Sequence, residues 1–194
     1  MYCVENTVII EDTIKKSRFL GLAIPCQSAH AALQHIAQLQ HQHPHANHIV
    51  FAYRIQSPQG LLIKFHDAGE PSGTAGKPVY QHLEGKDLIN LLVVVVRYFG
   101  GIKLGAGGLT RAYSNTARKV IENSILTEYI EYVKIELTLD YNQMQSFEYQ
   151  LKKLKGDIIQ QIFAENVKLL ISVPQGQVST LTHLFKRIRF KMVG

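Results

Sequence analysis

Residues Leu91-Leu92-Val93-Val94-Val95-Val96 form an unbroken apolar, largely β-branched run. It ends at Arg97-Tyr98 and passes at once into the glycine-rich segment Gly100-Gly101-Ile102-Lys103-Leu104-Gly105-Ala106-Gly107-Gly108. A run without alternation is the pattern of a strand buried on both faces, so other elements must cover both sides of its sheet. After the glycines comes the clearest helical period in the chain. Leu109, Ala112, Tyr113, Thr116, Ala117, Val120 and Ile121 recur at the spacing of one helix face. A sheet with helices packed on it is therefore predicted.

The preceding residues supply further elements. Val8 and Ile10 suggest a first strand, and residues 18–24 a second. Ser28 reads as the N-cap of a helix whose apolar positions Ala29, Leu33, Ile36 and Ala37 share one face. Segments 48–56 and Gly60–His66 alternate, and Ser57-Pro58-Gln59-Gly60 between them has Pro and Gly where a type I turn wants them, so a hairpin is predicted. A second glycine-rich loop, from Asp67 to Pro78, leads into a short helix near residues 79–83.

After about Tyr129 glycines nearly vanish. Strands at Tyr132–Leu139, Asp157–Phe163, 167–173 and 188–192 enclose two helices, one carrying Met144, Phe147, Leu151 and Leu154, the other Val178, Leu181, Leu184 and Phe185. This β-α-β-β-α-β order is ferredoxin-like. The chain is read as an α+β protein of two domains, 1–130 and 131–194. Its 194 residues, 46% hydrophobic and 19% charged, are enough for each domain to bury a core.

Met1-Tyr2-Cys3-Val4-Glu5-Asn6 has no basic region ahead of an apolar one, and the run at residues 88–96 is about half the length a bilayer demands. Neither a signal peptide nor a membrane span is expected, the expected location is cytoplasmic, and the two cysteines, Cys3 and Cys26, are expected as reduced thiols. The net charge of +6 favours anionic partners. It is spread evenly, with twelve basic against nine acidic residues up to 130 and nine against six beyond, so neither domain is a basic arm. In the terminal run Arg187, Arg189 and Lys191 alternate with Ile188, Phe190 and Met192, which reads as the solvated face of a last strand.

The strand–glycine loop–helix unit is the strongest chemical feature. It aims free backbone N–H groups and the positive end of a helix dipole at whatever lies above the strand's end, and phosphate is the usual guest there. Candidate phosphate-binding residues are Lys77, Arg97, Gly100, Gly101, Lys103, Gly105, Gly107, Gly108, Arg111 and Arg118. Neither loop is a nucleotide fingerprint: Thr74 stands where a Walker loop starting at Gly69 needs glycine and Pro78 follows Lys77, while Thr110 breaks the dinucleotide pattern begun by Gly105 and Gly107. No cofactor is expected. His41, His43, His45 and His48 surround Pro44 without a helical i, i+4 pair, so they read as a solvated loop, with no metal expected. Asp67, Glu70 and Thr74 are candidate catalytic residues, although side-chain to backbone bonds within the loop account for the same residues.

Taken together, Lys16-Ser17-Arg18-Phe19, the stretch from His43-Pro44 to His48, the loop Asp67-x-Gly69-Glu70-Pro71-x-Gly73-Thr74-Ala75-Gly76-x-Pro78, and the segment from Val95 to Tyr113 closely resemble the IMPACT family, in its bacterial YigZ-like branch. The resemblance implies a ribosomal-protein-S5-domain-2-like fold for residues 1–130 and, for residues 131–194, a ferredoxin-like domain similar to the fifth domain of elongation factor G. It implies a regulatory protein of translation, whose expected partner is RNA or the ribosome, with no transferable catalytic residues. Two alternatives are a hydrolase or transferase of a small phosphorylated or peptide-like substrate using the loop from Asp67 to Lys77, and a module that binds a protein partner.

Overall fold

The computed structural model describes residues 1–193 and divides the chain into two compact units, Met1–Tyr129 and Ile130–Gly194. The first unit is built around the apolar run, which forms a strand at Leu91–Tyr98. In chain order its elements are β1 (Tyr2–Val4), β2 (Val8–Ile14), β3 (Ser17–Pro25), α1 (Ala29–Gln42), β4 (His48–Ser57), β5 (Gly60–His66), α2 (Gly76–Gly85), β6 (Leu91–Tyr98), α3 (Ala106–Glu122) and β7 (Leu126–Glu128). Five strands make one antiparallel sheet in the order β2-β3-β6-β4-β5.

β6 lies at its centre, buried from Leu91 to Arg97. Alternate residues of β6 feed two cores, because side chains of a strand point to opposite faces. Leu91, Val93 and Val95 join α2 and α3 on one face; Leu92, Val94 and Val96 join α1 on the other. All seven residues of the predicted α3 stripe are buried. The hairpin also forms, with Ser57 opposite Gly60 across a two-residue turn.

Two features differ from the expectations. Ser28 caps α1 as predicted, its side chain accepting from the Ala31 N–H at 3.1 Å. The buried stripe of α1, however, is Ala32, Ile36 and Leu39, while Leu33 is 49% exposed. The stripe is one residue off the expected face because β4 and β6 decide which side of the helix is covered. The second feature is a small antiparallel pair, β1 with β7, registering Cys3 against Thr127 and closing the ends of the unit on each other. Strands of three residues carry no usable period, so the pattern gave no sign of them.

The second unit has β8 (Tyr132–Leu139), α4 (Met144–Lys153), β9 (Asp157–Phe163), β10 (Val167–Pro174), α5 (Val178–Leu184) and β11 (Phe190–Val193). The sheet order β11-β8-β10-β9, antiparallel throughout, is the ferredoxin-like arrangement. Ile135, Leu137, Leu169 and Ile171 pack beneath Phe147, Leu151 and Leu181 from the two helices. The intervening residues Lys134, Glu136, Thr138 and Lys168 are exposed on the opposite face. β11 begins two residues later than predicted; Ile188 and Phe190 pack on this core, but Met192 is exposed.

The stripe assigned to α1 has a direct check. Ile36→Ala should lower stability by about 2–5 kcal/mol, as for other buried aliphatic truncations, and Leu33→Ala by less than about 1 kcal/mol. Equilibrium urea unfolding of the two variants distinguishes them, and equal losses would reject the assignment.

Candidate functional site

β6 carries Arg97 to the edge of the core with only 5% of the residue exposed. A guanidinium so deeply placed needs partners, since an unpaired buried charge is heavily penalised. Its Nη1 donates to Glu70 Oε1 at 2.5 Å, and its Nη2 reaches Ser17 Oγ at 3.5 Å. The Phe19 and Phe99 rings lie 5.5 and 5.6 Å from the guanidinium carbon. Nε is buried and has no partner among the described residues.

Glu70, itself buried, comes from the loop between β5 and α2. The Tyr113 hydroxyl from α3 donates to the same Oε1 at 2.7 Å. Burial, and then the hydrogen bond to Glu70, push the Tyr113 hydroxyl far above its ordinary pKa, so it remains a donor at any physiological pH. His48 at the start of β4 brings Nε2 to 3.7 Å from Oε1. Its Nδ1 donates to the Ala68 carbonyl at 2.9 Å, which in the neutral ring leaves Nε2 as the acceptor. Ala68 adopts a left-handed φ of 50°, an unusual conformation for alanine, and in it presents that carbonyl to the imidazole.

The glycine loop after β6 wraps over the β2–β3 turn. The Gly100 N–H donates to Ser17 Oγ at 3.2 Å, and a Cβ at Gly100 would overlap the Lys16 carbonyl, so only glycine allows this approach. The Phe99 N–H is held by the Asn47 side chain at 2.7 Å.

The two glycine loops then end differently. At the start of α2 the chain supplies its own anion. Asp67 Oδ1 accepts from the N–H groups of Ala75 at 3.0 Å and Gly76 at 2.8 Å, and Oδ2 from Gly73 at 2.9 Å. Partial burial raises the Asp67 carboxyl, but these three N–H bonds outweigh it and hold the group below its usual range. At the start of α3 the cap is Gly105, with φ 72° and no side chain to accept from the first turn. Gly105 and Ala106 at this helix start, where free N–H groups and the positive end of the dipole are found, line an open cavity of about 410 Å³ together with Asn47, His48, Glu70, Arg97 and Lys103 among others.

Of the expected phosphate contacts, Arg97, Lys103 and Gly105 line this cavity. Gly100, Gly101, Gly107 and Gly108 shape the loop and first turn beside it. Lys77 is exposed in the first turn of α2, Arg111 is exposed on α3, and Arg118 pairs with Glu122 at 2.7 Å. Of the candidate catalytic residues, Asp67 holds the start of α2 and the Thr74 hydroxyl donates to the Pro71 carbonyl at 2.7 Å; only Glu70 faces the cavity. Tyr113 and His48 were not expected here. A tyrosine within a buried stripe needs a partner for its hydroxyl, which is the signal that points to Tyr113. Among the described residues, no group of three or more His, Cys, Asp or Glu side chains is placed to hold a metal ion, and no helix is long and apolar enough to cross a membrane.

Comparison with known proteins gives consistent matches. Residues 15–121 match the Impact N-terminal domain, and residues 137–186 match a domain of unknown function, DUF1949. The chain is 35% identical over 182 residues to an IMPACT family member of Haemophilus influenzae, covering 92% of this chain and 87% of that protein. It is 32% identical over 173 residues to the IMPACT family member YigZ of Escherichia coli, covering 89% and 85%. The crystal structure of a hypothetical protein superposes with a TM-score of 0.71 at 29% identity, over 100% of this chain and 97% of that one.

Two variants test this geometry. Glu70→Ala strands the Arg97 charge and should cost about 3–5 kcal/mol, the range for breaking a buried pair. Asp67→Asn weakens the hold on α2 and should cost about 1 kcal/mol at pH 7. Because the folded Asp67 carboxyl titrates below the unfolded one, its contribution is complete above about pH 4–5 and fades as the pH falls through the folded value. Urea unfolding at pH 7 and pH 3 should therefore show the Asp67→Asn deficit shrinking in acid. A deficit that grows in acid would reject this role.

Proposed function

This chain belongs to the IMPACT family, and we propose that it is a translation-associated regulatory protein that binds RNA or the ribosome at the cavity in front of α3. One observation carries the reading: of the two helices that follow glycine loops, α2 is closed by the chain's own Asp67, whereas α3 presents its first turn uncapped to a cavity. Unpaired N–H groups at a helix start, with Lys103 beside them, suit the oxygens of a phosphate group. Arg97 acts one step removed from the ligand, holding Glu70 in place and offsetting its charge.

The translational context comes from the family resemblance, and the positive net charge favours approach of a polyanion. The loop from Asp67 to Lys77 gives less support to a hydrolase or transferase, because Asp67 and Thr74 are engaged in holding it.

Co-sedimentation of the purified protein with ribosomes and with ribosomal RNA across a salt series tests the proposal. Binding should weaken steeply with salt, because phosphate contacts release counterions. Lys103→Ala should weaken it and reduce the slope of log affinity against log salt by about 1. Binding that is insensitive to salt, or unchanged in the Lys103→Ala variant, would overturn the reading.

A further inference from the structure

The cavity before α3 has two walls of opposite hydrogen-bonding character. One wall donates: the first-turn N–H groups of α3 and the Lys103 ammonium. The other accepts. The contacts that Glu70 makes with Arg97, Tyr113 and His48 fall on Oε1, at 2.5, 2.7 and 3.7 Å, which among the described residues leaves Oε2 as its uncommitted oxygen. Glu70 is a cavity-lining residue, with 4% of its side chain exposed. His48 lines the same space, and its Nδ1–H bond to Ala68 makes Nε2 of the neutral ring an acceptor too.

A bare phosphate explains the donor wall alone. A carboxylate turned toward an anion site is unfavourable unless its charge is balanced and the ligand brings a donor for it. Arg97 supplies the balance. The ligand must supply the donor, and the chemical group that places hydroxyls next to a phosphate is ribose. Carboxylates accept from ribose hydroxyls beside helix-bound phosphates in other nucleotide sites, and the 2′-hydroxyl is what distinguishes RNA from DNA at a given site. A cavity of about 410 Å³ falls within the range of ordinary small-ligand pockets, roughly 300–1,000 Å³, and suits one nucleotide unit.

We propose that this cavity recognises a ribonucleotide unit, with its phosphate at the start of α3 and at Lys103, and its ribose 2′-hydroxyl donating its single proton to Glu70 Oε2, with His48 Nε2 as the alternative acceptor beside it. This inference rests on the reading of the cavity as a phosphate site and adds to it a preference for ribose over deoxyribose.

The test uses the full-length protein and two fluorescein-labelled single-stranded 12-mers of identical base order, one ribonucleotide and one 2′-deoxyribonucleotide, with uracil in both. Affinity is measured by anisotropy at fixed salt. The wild-type protein should favour the ribonucleotide by about tenfold or more, the effect of one hydrogen bond to a charged group. Glu70→Gln keeps the shape but weakens the acceptor, so the preference should fall toward unity while the deoxy affinity is kept or rises. Because Glu70→Gln leaves Arg97 without its counter-ion, His48→Ala at the half-buried edge of the site provides a second variant, in which the preference should fall about threefold or more. Equal wild-type affinity for the two strands would overturn ribose recognition and leave the phosphate reading standing. Binding to neither strand would overturn the phosphate reading itself. An undiminished preference in a folded Glu70→Gln protein would overturn the assignment of the acceptor.

Discussion

The ion pair between Arg97 and Glu70 joins three elements that nothing in the local chain brings together: the end of β6, the loop before α2, and α3 through Tyr113. Burying two charges costs several kcal/mol per ion, so the pair adds little net stability by itself. What it does provide is uniqueness. Shifting β6 by one residue would turn Arg97 toward the α1 side of the sheet and strand Glu70, and shifting α3 by one would remove the Tyr113 hydroxyl. The surrounding apolar contacts tolerate small slips of this kind more readily than paired charges do, because apolar attraction is not directional. The cluster thus sets the register on which the cavity depends.

Around that cluster the two glycine loops take different roles. Gly76 and Gly100 each sit where a neighbouring backbone segment passes too close for a side chain, Gly76 against His66 and Gly100 against Lys16. The helix behind the first loop has its N–H groups satisfied internally by Asp67. The helix behind the second begins at a residue with no side chain and opens on solvent. One motif therefore stabilises the unit and the other remains free to meet a ligand. The difference follows from where one carboxylate lies, at Asp67, whose bonds to residues 73, 75 and 76 close the first loop on itself.

The second unit shows the usual economy of a sheet covered on one face. Helices cover Ile135, Leu137, Leu169 and Ile171, while Lys134, Lys168 and Lys191 stand on or beside the open face. Lys191 reaches Glu136 across the β8–β11 pair at 3.5 Å, but both side chains are well exposed, so screening by water leaves that contact weak. The lysines serve instead to keep the face and the β11 edge hydrated.

Several parts of this protein are determined by the sequence alone. The unbroken run at residues 91–96 demanded two covered faces, the α3 period named all its buried residues, Ser28 capped α1, and the spacing of the last 65 or so residues carried the ferredoxin-like order. Each of these reports a repeating local environment, burial on one or both sides, which a chain records at intervals of two or of three to four residues. The glycine loop and its helix were legible for the same reason, so the place of the candidate site was too. Tertiary structure alone decided what occupies that place. Glu70 is 27 residues from Arg97 and 43 from Tyr113, so no local period relates them, and Arg97 read as a free cation until its partner was in view. The stripe of α1 turned by one residue because the sheet beneath it, and not the helix's own pattern, chose the covered side. Pairing is a property of positions brought together by folding, and the sequence near one partner holds no record of the other.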